Sequence, residues 1–254
     1  MRKNLFLVSC IFLFSSAIAF ANDRTENNGN LILKNIPIIP ENIKNDLTRY
    51  QNIRSAPFRG FNREGNEIFI TTRFGNVSQL HRVRKQGGAR EQITFFEEPI
   101  GSISRKPGGQ LIAFTMDAGG TENNQIFLLD PKNGSSVMLT DGKSRNGGTL
   151  WEKNGSRIAY QSTRRNGQSN DVWIMDSKDL NSAEMILESP DGTWWGASDW
   201  SEDGKKILIQ NYISITNAKA YLLDVQSKKI EMILGSNENE SYNAILSFDR
   251  SQNG

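Results

Sequence analysis

One side chain in this sequence, His81, can serve as a histidine general base, and one, Cys10, as a thiol nucleophile. A Ser-His-Asp relay therefore has a single possible base. That base sits between Leu80 and Arg82 in an alternating apolar stretch, which reads as a strand residue, partly buried or solvent-facing. The G-x-S-x-G turn that exposes a serine nucleophile on an α/β-hydrolase sheet occurs nowhere in the 254 residues. One His and one Cys are too few for a His/Cys zinc site, and spacing singles out no carboxylate pair for glycoside cleavage. No catalytic residue, metal ligand or cofactor is expected in this chain. The remaining candidates hold a ligand without transforming it. Glu122, behind Gly119-Gly120, offers a loop carboxylate to a peptide's terminal amine through a charge-assisted hydrogen bond. Arg164 and Arg165 offer guanidinium forks to a carboxylate, although a solvated hairpin tip accounts for both. Trp194 and Trp195, after Asp191-Gly192, read as packing between elements.

The elements that would position these residues are repeats. A turn, an alternating apolar strand, a loop and a second strand recur from about residue 57. The copies are marked by Arg63-Glu64-Gly65-Asn66, Pro107-Gly108-Gly109-Gln110, Lys153-Asn154-Gly155-Ser156 and Glu202-Asp203-Gly204-Lys205. Their glycines Gly65, Gly109, Gly155 and Gly204 are spaced 44, 46 and 49 residues apart. A period of about 40 to 50 residues with several strands per copy is the signature of a β-propeller. No helical periodicity competes with it in this region. The fold expected is all-β, with four nearly complete four-stranded blades. Ala244 to Gly254 reads as the start of a fifth, so the propeller is expected to be truncated. The alternative is a four-bladed ring whose last blade is completed by residues 31 to 60.

Ahead of the repeats, residues 1–21 read as an export signal. Arg2 and Lys3 precede an apolar run from Leu5 to Phe14, and cleavage is expected after Ala19 or Ala21. Leu7-Val8-Ser9-Cys10 is a weaker lipobox-like pattern. A periplasmic or secreted location is expected. Residues 22–56 form a lead-in, with Asn27 to Asn30 expected to be disordered and a short helix expected near Asn42 to Tyr50; residues 57–254 form the partial propeller. The full chain carries 30 basic and 28 acidic residues. Losing Arg2 and Lys3 leaves no formal net charge and no basic run, so nucleic acid is not an expected partner. No membrane association beyond export is expected.

Asp117 to Ile126, Asn146 to Trp151, Tyr160 to Gly167 and Asp199-Trp200-Ser201 together resemble the propeller of prolyl oligopeptidase family serine peptidases. Thr72 to His81 and Gly87-Gly88-Ala89-Arg90 look like bacterial members of that family, and the likeness covers residues 55 to 254. It implies a propeller capping a C-terminal α/β-hydrolase domain of a parent protein and restricting entry to short or unfolded peptides. The expected partners are thus a peptide substrate and that hydrolase domain. The acidic motif with which related dipeptidyl peptidases bind the peptide amine is not reproduced around Glu122. A weaker resemblance, to exported TolB-type propellers, rests on Ser201 to Lys206. It implies the alternative function, a stand-alone propeller that binds a protein or peptide without catalysis.

Overall fold

The structure, a computed structural model, describes residues 23–117, 119–236 and 239–246. The expected signal segment, Cys10 and most of the expected fifth-blade start lie outside the described residues. The chain divides into two compact units, Met1–Ile53 and Arg54–Gly254. In the first, β1 (Arg24–Glu26) and β2 (Leu31–Leu33) form an antiparallel hairpin. Its turn carries Asn27 and Asn28 at φ 53° and 51°, so the Asn-rich stretch expected to be disordered is a left-handed turn, a conformation Asn tolerates better than most residues. After Pro40, α1 (Glu41–Gln51) has no buried residue.

The second unit consists of four antiparallel four-stranded meanders. Blade I comprises β3 (Phe58–Phe61), β4 (Ile68–Thr72), β5 (Gln79–Val83) and β6 (Glu91–Gln92). Blade II comprises β7 (Ile100–Arg105), β8 (Ile112–Met116), β9 (Gln125–Leu129) and β10 (Ser136–Met138). Blade III comprises β11 (Asn146–Trp151), β12 (Arg157–Ser162), β13 (Asp171–Asp176) and β14 (Asp179–Leu187). Blade IV comprises β15 (Trp194–Trp200), β16 (Lys206–Ser214), β17 (Asn217–Asp224) and β18 (Ile230–Leu234). The ring completed by residues 31 to 60 is not what forms. Leu31–Leu33 pairs with β1, and Phe58–Phe61 is the first strand of blade I.

The apolar alternation works between blades, not within them. In β8, Ile112 and Phe114 pack toward blade I with Phe69 and Leu80, while Ala113 packs toward blade III with Ile158 and Tyr160. In β13, Met175 joins the cluster shared with blade II, and Val172 and Ile174 join Ile207, Ile209 and Trp200 of blade IV. Successive side chains on a strand point to opposite faces, so the central strands of blades II and III each feed two neighbouring cores. A lone blade would leave both faces wet, which is why such units are stable only when stacked.

Polar ties recur at the same places. Arg105, Trp151 and Trp200 end β7, β11 and β15, and each reaches back to the preceding blade. Trp151 Nε1 donates to the Ser104 carbonyl at 3.1 Å, Trp200 Nε1 to that of Leu150 at 3.2 Å, and Arg105 Nη1 to that of Phe61. Gly204 in the blade IV turn has φ 67°, and a Cβ there would run into the Glu152 carboxylate and come within 3.0 Å of the Arg157 guanidinium. Both conformation and space demand glycine.

Candidate functional site

A second register repeats every 46 residues, at Gln79, Gln125, Asp171 and Asn217, the first residues of the third strands of blades I to IV. Gln79 Oε1 accepts from Thr94 Oγ1 at 2.8 Å and from the Phe96 amide at 3.2 Å. Gln125 Oε1 accepts from Thr140 Oγ1 at 2.7 Å and from the Gly142 amide at 2.9 Å. Asp171 Oδ1 accepts from the Ser189 amide at 2.9 Å. Each bond ties the third strand to the chain leaving the fourth, which holds the connecting segments and the loops beside them in place. In blade IV the Asn217 Oδ1 is buried without a partner.

The loops between second and third strands gather the sequence candidates at one end of the blades. Arg165 is engaged within the protein. Its guanidinium grips the fully buried Asp171 through Nε at 2.8 Å and Nη2 at 3.0 Å, and Nη1 reaches Glu188 at 3.0 Å. The pair neutralises a buried carboxylate, which would otherwise be costly. Arg164 lies over the Trp173 ring at 5.4 Å, a cation–π contact. Glu122 sits in the corresponding loop of blade II at φ 61°, exposed, its amide donating to Asp117 Oδ2 at 3.0 Å. No hydrogen bond or ion pair joins Glu122 to Arg164 or Arg165 among the described residues.

Around Arg164 the structure adds two groups that sequence reasoning missed. Burial pulls the Asp141 carboxyl upward, but hydrogen bonds from Ser144 and Lys143 and the charge of Arg164 outweigh it and leave it below the usual carboxylate range. Burial pushes the Tyr160 phenol up to about 12. At neutral pH Asp141 is therefore ionised and Tyr160 protonated, and neither is poised to exchange a proton. The spacing between residues 141, 160 and 164 carries no motif, so only the pairing of β12 with its neighbours could bring them together.

His81 is fully buried, more deeply than its sequence context implied. Its Nδ1 lies 3.0 Å from the Gln79 carbonyl, Nε2 has no partner, and the Phe74 ring meets it edge-on at 5.2 Å. Burial lowers its pKa below 6.5, the Gln79 bond opposes this, and the charge of Arg90 adds to the lowering. The unfolded chain thus takes up a proton that the folded chain resists, so stability is complete above about pH 6.5 and declines as pH falls from there toward the folded pKa. Urea titrations across pH 5 to 8 are expected to show this decline, and His81→Phe is expected to flatten it.

The profile of the prolyl oligopeptidase N-terminal beta-propeller domain matches residues 98–250, more than half of the chain. The chain belongs to that family. No curated protein matches it. Among solved structures it resembles TolB from Acinetobacter baumannii at 19% identity and TM-score 0.54, covering 74% of this chain and 45% of that one. A structure from work on two prolyl endopeptidases aligns at 12% identity and TM-score 0.58, covering 73% and 30%. A putative TolB from Agrobacterium tumefaciens aligns at 21% identity and TM-score 0.52, covering 68% and 62%. At these identities the likenesses show the fold alone, and the chain spans less than two thirds of each of those proteins. Within this prolyl oligopeptidase-type propeller, Glu122, Arg164 and Asp141 are loop residues with ionisable side chains.

Proposed function

We propose that this chain is the substrate-gating propeller of an exported serine peptidase of the prolyl oligopeptidase family, whose α/β-hydrolase domain belongs to the parent protein. The observation that supports this reading is the family match over residues 98–250. Two features of the chain agree with it: no nucleophile elbow is present, and its one imidazole is buried away from solvent. The propeller's part is then physical. It restricts which peptides reach the catalytic domain, and the loop charges at Glu122 and Arg164 offer contacts to a peptide's ionised ends. The parent reading frame is expected to continue into a hydrolase carrying G-x-S-x-G. The purified chain by itself is expected to leave proline- and alanine-containing chromogenic dipeptides uncleaved. Robust cleavage by the chain alone would overturn this assignment. A reading frame without a hydrolase would overturn it too, leaving a stand-alone binding propeller.

A further inference from the structure

At the opposite end of the blades from Glu122 and Arg164, the first turns of blades I and II and the outer turn of blade II enclose a cleft of about 410 Å³. That volume falls within the range of small-molecule sites. Four cationic side chains line it, Arg63, Arg82, Arg105 and Lys132, against two carboxylates, Glu64 and Glu67. Half of these six charged groups have a defined side-chain partner. Glu67 is held by Arg84 at 3.0 Å and Arg82 at 3.8 Å, and Arg82 also meets Glu91 at 3.1 Å. Glu64 Oε1 accepts from Gln110 Nε2 at 3.4 Å.

Arg63, Arg105 and Lys132 are different, because none has a carboxylate partner among the described residues. Arg105 is nevertheless held in position. Its Nη1 donates to the Phe61 carbonyl, and its Cδ would stand 3.2 Å from a Cβ on Gly60, whose φ is 131°. Absence of a side chain at residue 60 therefore gives the arginine room to lie against β3. Unpaired cations sharing a partly enclosed space repel one another, and a fixed guanidinium gives up little freedom when it binds a planar acceptor. The nearby Glu64 and Glu67 disfavour a multiply charged guest.

We propose that this cleft is a binding site for a small carboxylate monoanion, its carboxylate received by Arg63, Arg105 and Lys132. The assignment is independent of the peptidase reading, because it concerns the chain by itself and is tested without any hydrolase. The probes are N-acetyl-dialanine as the free acid, N-acetyl-dialanine amide and inorganic phosphate, titrated calorimetrically into the full chain. The free acid is expected to saturate, and the amide, which lacks the charge, to bind at least about tenfold more weakly. Arg63→Gln and Lys132→Gln alter exposed side chains. Each is expected to weaken the acid at least about fivefold while leaving the thermal midpoint unchanged. Failure of the acid to saturate, equal binding of acid and amide, tighter binding of phosphate, or indifference to both substitutions would each overturn the proposal.

Discussion

Trp200→Ala is expected to destabilise the propeller by about 3–5 kcal/mol, the usual range for deleting a fully buried tryptophan. Trp200 is 0% exposed and packs among Ala159, Val172 and Ile174 of blade III and Ile207, Ile209 and Leu223 of blade IV. Its indole also donates to the Leu150 carbonyl at 3.2 Å. The substitution opens a cavity at the seam between two blades and leaves that carbonyl to find another donor. Trp194→Ala is the matched control, because Trp194 is 38% exposed, and surface changes commonly stay within about 0.5 kcal/mol. Urea unfolding of both variants checks the expectation; equal midpoints would show that the seam does not carry the stability assigned to it.

The second large effect is electrostatic. Arg157 donates to Glu152 at 2.8 and 2.9 Å, to the Gly204 carbonyl at 2.6 Å, and lies over the Trp200 ring at 4.8 Å. The Glu152 side chain is 4% exposed and that of Arg157 29%. Arg157→Met leaves an almost buried carboxylate without its counter-charge, and a loss of about 3 kcal/mol is expected. This is the low end of the range for broken buried pairs, because Arg157 retains solvent contact. Glu152→Gln combined with Arg157→Met is expected to recover part of the loss, since the stranded charge is gone. Hydrogen bonding from Arg157 lowers the Glu152 pKa against the opposing effect of burial. The pair's stabilisation is therefore present above about pH 4.5 and is lost as pH falls through the lower folded value. Chemical unfolding of the single and double variants at pH 7 checks the expectation, and additive losses would refute the coupling.

Much of this architecture was legible before any coordinates, for identifiable reasons. The turn glycines and the alternation in segments such as Ile112 to Phe114 are local signals, and each blade is a chain-local meander. The helix expected near Asn42 to Tyr50 appears at Glu41–Gln51. The Asn27 to Asn30 stretch forms a turn where disorder is expected, because the same residues that disfavour regular structure also suit a tight left-handed turn. The 46-residue register of Gln79, Gln125, Asp171 and Asn217 is present in the sequence, but three different residue types fill it, so its role as a strand-to-loop tie shows only in the hydrogen bonds.

For the candidate site the balance is reversed. Glu122, Arg164 and Arg165 could be nominated by residue type, but adjacency in sequence could not show that one arginine stacks on Trp173 while its neighbour grips Asp171. Nor could it place Arg63, Arg105 and Lys132 around one cleft, because these residues come from two blades and meet only when the blades stack. The sequence by itself determined the repeat, the strand alternation and the lack of a nucleophile elbow, all properties of short windows along the chain. Only the tertiary structure decided which charges are neutralised, how deeply His81 is buried and which loops converge, because those depend on contacts between residues far apart in the chain.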